Sequence, residues 1–444
     1  MVHSELIVTL QDWQPRIIEE NVLQKELGNI PRPTKPINYR EGLNLFYRLA
    51  GMGTLKYMNK FPSIDSKKVI YMIRKTIHQF KRQLEGVRQN PSYLSYEVLR
   101  ELGLLKEKHI YYASYLAAVS SFPILYQVDD EDITDAMLAK MAFVLSIKAL
   151  DNISDQLHTF DQAVKAMQKY DVALTSEIFD IESECKGEIS RAQNTTFLIA
   201  RWTYDIIARS IDKSLDMFRA YIDDAHKFDD GQISSMYQKV DGKTGEVPDI
   251  TVKDYLKTIS EKSVGALWLD IDLCFYEKNF EVQGMERKGI ELYRKGIDYV
   301  YKSSLIYDDA QDIIPDLEDN IVNIAVLQGA ERGACSIDDV KTLTPRALAQ
   351  KLEKNGSIMD TIYLADLVFL KGIDYLIKAK NYLKRIDIDA TVFGSRFLRA
   401  FNLRKWTLKR KNLHSTYIFL ASFDRFDSIK ASIPSHVLEY GKYL

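Results

Sequence analysis

Two groups of aspartates are the residues most able to do chemistry. The first is Asp151-Asn-Ile-Ser-Asp155, the second Asp308-Asp309-Ala-Gln-Asp312-Ile-Ile-Pro-Asp316. Each follows a mostly apolar run, Ala142–Leu150 in one case and Ser304–Tyr307 in the other. Helical residues four apart share a face, with Cβ atoms about 5–6 Å apart. Asp151 therefore projects with Asp155, and Asp308 with Asp312 and Asp316, with Asp309 beside them. Pro315 interrupts the second group and can end or distort its helix. Carboxylates set into apolar faces are costly unless a positive group binds them. Magnesium suits this role, because it binds one or two carboxylates together with waters and substrate phosphates. The chemistry this suggests is metal-assisted departure of a diphosphate, whose growing charge the metal neutralises. Either group alone reads more readily as a solvated charged face. The two together, each next to an apolar helix, favour the metal. A di-iron carboxylate site would need repeated Glu-x-x-His pairs, and the nearest match is Asp223-x-x-His226.

Helices must position these groups. Val69, Ile70, Ile73, Ile77 and Phe80 mark one amphipathic face, with Asp65 or Ser66 as its cap. Similar periodicity runs through about 94–126, 135–150, 160–185, 188–227, 251–278, 284–314, 346–385 and 393–422. Alternating strands are scarce, so the expected class is all-α. Breaks fall at Asn29-Ile-Pro-Arg-Pro-Thr-Lys-Pro36, Asp229-Asp-Gly231 and Asp241-Gly-Lys-Thr-Gly-Glu-Val-Pro248. The proline-rich break sets off an N-terminal segment, 1–38, from one all-α catalytic bundle, 39–444. A length of 444 residues with 46% hydrophobic content allows a large core. The net charge of −2 gives no reason to expect nucleic acid. Cys185, Cys274 and Cys335 are odd in number and widely spaced, which fits a reducing cytoplasm rather than a disulfide framework. The start of the chain lacks a signal peptide's pattern, and no membrane-spanning run is expected.

The aspartate motifs resemble those of the isoprenoid synthase superfamily, which includes class I terpene synthases and trans-prenyl diphosphate synthases. Asp151 to Asp155 looks like a reduced first motif, with Asn152 where a second Asp is usual. Asp308-Asp-Ala-Gln-Asp312 matches the second, and Asp319, Asn320 and Asn323 are similar to the tail that follows it. Asp254-Tyr-Leu-Lys-Thr-Ile-Ser-Glu-Lys262-Ser263 resembles the segment whose lysine touches diphosphate, and Gly231-Gln232 resembles a Gly-Gln pair after an earlier helix. The matched core covers about 110–330, with C-terminal helices over 346–444. The resemblance implies an isoprenoid-synthase-type helical bundle around a central apolar pocket. It also implies three Mg²⁺ ions held by the two motifs, with Lys262 on the diphosphate.

Two departures bear on activity. No basic Gly-Gly-Lys-type motif is evident early in the chain, and Asp155 is followed by Gln-Leu-His-Thr-Phe-Asp rather than by an Arg-Arg pair. Both are features of enzymes that add isopentenyl diphosphate, so their lack favours ionisation of a single prenyl diphosphate. Tyr111, Tyr112, Tyr115, Phe122, Tyr126 and Phe143 precede the first motif at helical spacings. They can either pack the core or face a carbocation. Phe143 and Ile147 lie where related enzymes set pocket depth, and Ser146 would leave room. Residues 396–411 hold Arg396, Arg399, Arg404, Lys405, Lys409, Arg410 and Lys411 without an acid. That stretch reads as a solvated face, as a basic helix touching an anionic membrane, or, through Arg396, as a cap on the diphosphate.

The expected function is that of a class I terpene synthase, a lyase that ionises a linear prenyl diphosphate. The metal ligands are Asp151, Asp155, Asp308, Asp309, Asp312 and Asp316, with Lys262 and Arg396 on the diphosphate. The alternatives are a prenyltransferase, chain-elongating or joining two diphosphates head to head, and a non-catalytic scaffold of the same fold. The expected partners are the substrate, a homodimer mate and a membrane surface at 396–411, and the expected location is cytoplasmic.

Overall fold

The computed structural model describes residues 59–154, 160–181, 185, 187–240, 246–410 and 412–444. The N-terminal segment 1–38 and Asp155 lie outside these residues. Among those described the structure is all-α, and the sole β pairing is one antiparallel bridge between Lys239 and Ile321. The helices that matter here are α1 (Ser66–Glu85), α2 (Glu107–Leu125), α3 (Asp130–Ser154), α4 (Phe160–Thr175), α5 (Glu188–Ser210), α6 (Asp216–Met236), α7 (Val252–Lys257), α8 (Gly265–Asn279), α9 (Gly284–Gln311), α10 (Ile313–Glu318), α11 (Ile324–Glu331), α12 (Ser357–Ala379), α13 (Ile388–Arg410) and α14 (Leu413–Leu420). No described helix is long and apolar enough to cross a membrane.

The described residues group into two compact units. The first takes in the chain up to Ile222, Asp270–Val282 and Arg385–Thr391. Its helix α1 forms where expected, with Val69, Ile73 and Phe80 on the buried face, but Met72 and Thr76 are buried there while Ile70 and Ile77 are only partly covered. Asp65 caps it, accepting from the Lys67 backbone N–H at 2.9 Å, and Val69, Met72, Ile73, Thr76, Phe80 and Leu84 form the buried face. Helix α3 opens with Asp130, Glu131 and Asp132, which suit the positive end of its dipole. Further along it Met137, Met141, Phe143 and Leu145 are fully buried. A fully buried ion pair joins the Lys140 ammonium to Asp272 of α8. Ser120 and Ser121 of α2 accept further bonds from Lys140, at 2.9 and 3.2 Å, and Ser121 donates to the other Asp272 oxygen at 2.7 Å. Every charge in this network has a partner, which is the condition for tolerating it in a core.

The second unit holds Asp223–Leu269, Gln283–Lys384 and Val392–Leu444. Its centre is the packing of α9 on α12, and the two backbones approach unusually closely where glycines meet. A Cβ on Gly372 would stand 2.6 Å from the Gly296 carbonyl oxygen. In the same unit Arg399 of α13 is buried whole. Its guanidinium donates to both Asp366 oxygens, at 2.7 and 3.0 Å, to the Tyr307 hydroxyl, to the Ile418 carbonyl and to Ser422. Tyr307 donates to Asp366 in turn. This saturated network fixes α13 against the end of α9 that carries the second aspartate motif.

The Lys140–Asp272 pair makes a direct prediction. Lys140→Met leaves a buried carboxyl without its cation and costs about 3 kcal/mol of unfolding free energy. The double variant Lys140→Met/Asp272→Leu recovers most of that loss. Urea titrations of the three proteins measure both effects.

Candidate functional site

The second aspartate motif sits where one helix ends and another begins. Helix α9 ends at Gln311, and Asp312 at the junction has non-helical backbone angles (φ −102°, ψ 20°). Pro315 then falls in the first turn of α10, where a missing N–H is harmless. The chain bends at Asp312, but the helical bonding carries through it: the Asp312 N–H donates to the Asp308 carbonyl at 2.8 Å and the Asp316 N–H to the Asp312 carbonyl at 2.9 Å. Asp316 is held in the group by Asn323. That residue caps α11 through its Oδ1. Its Nδ2 donates to Asp316 Oδ2 at 2.9 Å and to the Asp309 carbonyl at 3.1 Å.

Three carboxyls of this group are electrostatically strained. Burial, then repulsion from Asp312 and Asp309, pushes Asp308 up to about 6. Burial, then repulsion from Asp309, pushes Asp316 up to about 7. Burial raises Asp309 as well, although the neighbouring Lys262 charge opposes it. Asp308 keeps solvent access and the other two are half-buried, so water screens part of the effect. Crowded carboxyls that still reach solvent suit an entering cation. Beside Asp309 lies the hydroxyl of fully buried Tyr255, which makes no well-formed hydrogen bond and is held well above its usual range by burial and by Asp309.

Lys262 ends a 3-10 turn, Ile259–Lys262. Its charge acts on Asp308, Asp309 and Asp316 together. Two contacts place that turn. Glu261 accepts from Lys302 of α9 at 2.6 Å, and Lys302 also pairs with Asp298 at 2.8 Å. On the other side Gly231 of α6 lies directly against it, and a Cβ there would stand 2.2 Å from the Lys262 backbone nitrogen. The Gly-Gln pair flagged in the sequence thus has a steric reason for its glycine.

The remaining candidates lie elsewhere. Arg396 donates to the Asp424 carbonyl and covers the Phe426 ring at 3.9 Å, so it is engaged away from the aspartates. From the same helix, Lys405 pairs with Asp312 and Lys409 donates to the Gln311 carbonyl at 2.9 Å. Arg399 and Arg404 are buried, and Arg410 pairs with Glu353. The described cations of 396–411 are thus largely spent within their own unit instead of forming a free basic face. In the first unit, Asp151 is exposed and paired with Lys148 at 2.7 Å, while Asn152 donates to the Leu104 carbonyl at 2.8 Å. Phe143 and Ser146 are fully buried, with Ser146 bonded to Tyr170 of α4. Val144 and Ile147 keep partial access instead. Tyr112 and Tyr115 are half-buried, and burial pushes both hydroxyls up to about 12.

Among the described residues, no three His, Cys, Asp or Glu side chains gather tightly enough to hold a metal ion unaided. The aspartate group still fits magnesium, which needs only one or two carboxylates when phosphate oxygens and water complete its shell. The strained carboxyls are the observation that favours this fit.

No family model matches the sequence, and no curated protein matches it. Among solved structures, a geranylgeranyl pyrophosphate synthase is similar, with a TM-score of 0.51 at 15% identity. The match covers 75% of this chain and 98% of that one. The likeness establishes an all-α fold of the isoprenoid-synthase type.

Two predictions follow from this geometry. The raised carboxyls bind more protons folded than unfolded, so their stabilisation is complete below about pH 4 and is lost as pH rises through 6 to 7. The metal-free protein is therefore more stable at pH 5 than at pH 8 by about 2 kcal/mol after screening, and added Mg²⁺ raises the melting temperature more at pH 8. Calorimetric scans at both values, with and without the metal, test this. Gly231→Ala forces the Lys262 turn outward, lowering stability by about 1–3 kcal/mol and diphosphate affinity with it; melting curves and titration calorimetry report the two losses.

Proposed function

We propose that the protein is a magnesium-dependent enzyme that ionises a linear prenyl diphosphate and releases diphosphate, in the manner of class I terpene synthases. The observation that carries this reading is the crowding of carboxyls at Asp308, Asp309 and Asp316 beside Lys262. Such a group binds a cation and a polyanion together better than it binds either alone. Asp308, Asp309, Asp312 and Asp316 would hold magnesium; Asp151 and Asp155 are proposed as metal ligands from the sequence motif alone. Magnesium, when bound, would offset the charge that builds on the departing diphosphate. Lys262 would bind and orient the phosphate oxygens.

A prenyltransferase is the second reading, favoured by the geranylgeranyl pyrophosphate synthase likeness. Supplying geranyl, farnesyl and geranylgeranyl diphosphates, with and without Mg²⁺ and isopentenyl diphosphate, separates the two. Mg²⁺-dependent release from one substrate alone, yielding a hydrocarbon or alcohol, supports the lyase. Release only with a second diphosphate supports the transferase, and no release at all sinks both. Asp308→Ala and Asp151→Ala are each expected to lower turnover at least 100-fold, and Lys262→Ala roughly 100-fold, as losses of charge stabilisation in the transition state. Circular dichroism should show all three folded. Unchanged turnover in any of them removes that residue from the assignment.

A further inference from the structure

Lys405 stands out among the cations of α13. Arg399 has its donors satisfied by fixed partners in the core, so the helix is anchored beneath it. Asn402 donates to Ser304 at 2.8 Å, and Lys409 to the Gln311 carbonyl. Lys405 lies between these contacts on a flexible stem. Its ion pair with Asp312 keeps solvent access on both sides, 21% for the lysine and 30% for the aspartate. Asp312 performs no local duty that would hold it there, since its side chain caps neither α9 nor α10. The pair is therefore an accessible bond between a mobile ammonium and a carboxylate of the motif.

We propose that Lys405 is the motif's internal counter-ion. It occupies Asp312 while no metal is present, and it transfers to the phosphate oxygens of the diphosphate once a divalent cation takes the carboxylate. This rests on the reading of the site given above. The physical reason is charge balance. Asp308, Asp309, Asp312 and Asp316 bring four carboxyls against Lys262 and Lys405, with Lys409, bonded to the Gln311 carbonyl, acting on Asp312 and Lys405 from the next turn of α13. A divalent cation arriving alone must compete with an ammonium already bonded to one ligand. A cation arriving with diphosphate offers that ammonium a new anion, so nothing is left unpaired. Lys405 thereby weakens binding of free metal and strengthens binding of the metal–diphosphate complex. The site responds to the pair in preference to the ion.

Titration calorimetry with Mg²⁺ alone, and with Mg²⁺ plus inorganic diphosphate, tests this on the full-length wild type, Lys405→Met and Lys405→Arg. Methionine keeps the stem's packing without the charge. Lys405→Met should bind Mg²⁺ alone roughly ten-fold more tightly and Mg²⁺ with diphosphate roughly ten-fold more weakly, opposite shifts expected from removing one nearby charge. Lys405→Arg should stay close to wild type in both. If Lys405→Met should prove unstable, Lys405→Gln takes its place under the same expectations. Two affinities that move together, or that do not move, overturn the counter-ion role while leaving the wild-type site intact. A wild type that binds neither Mg²⁺ nor diphosphate overturns the site itself, and the counter-ion with it.

Discussion

The feature on which the second unit depends is a surplus of carboxyls where α9 ends. Four aspartates crowd a helix junction, and burial with mutual repulsion lifts Asp308 to about 6 and Asp316 to about 7. The surrounding architecture keeps that surplus in place. Asn323 ties Asp316 to the backbone of Asp309. Gly231 admits the backbone of Lys262 at a distance no side chain would allow. The buried Arg399–Asp366–Tyr307 network anchors the helix that delivers Lys405. Carboxyls assembled at such cost without full compensation are characteristic of sites that await a charged ligand.

The contrast with the molecule's other buried charges makes the same point. Lys140 and Asp272 neutralise each other within a shell of serines, and Arg399 and Asp366 do so with tyrosine and serine. Those networks are complete and need no ligand. The group at Asp308 to Asp316 sets Lys262, Lys405 and Lys409 against four acids, and burial still holds three of those acids above their usual range. Its incompleteness is therefore local and specific rather than a general property of this charge-rich chain.

Much of this was legible before any coordinates. Apolar periodicity identified α1 and its Asp65 cap, because a surface helix must bury one stripe. Aspartate spacing singled out the right segment of α9, because residues four apart share a face. The break at Asp312 was only half legible. Pro315 announces an interruption, yet the bend falls earlier, at Asp312, and Asp316 keeps its helical bond to the Asp312 carbonyl while Asn323 holds its side chain. The roles of Tyr255 and Asn323 depend on tertiary contacts that no local pattern encodes. The sequence singles out Arg396 of the basic run for the diphosphate, and only helical phase separates it from Lys405. Arg396 meets Asp424 and Phe426, while Lys405 meets Asp312. Phe143 looked able to limit a pocket, but it turns into the core and leaves Val144 and Ile147 partly accessible.

The most direct test of the central claim is anomalous diffraction from crystals grown with Mn²⁺ and inorganic diphosphate. The account predicts manganese peaks within coordination distance of the Asp308 and Asp312 carboxylates, with a phosphate oxygen completing the shell. Diphosphate bound by lysines alone, or manganese absent from these aspartates at saturating concentration, would contradict it.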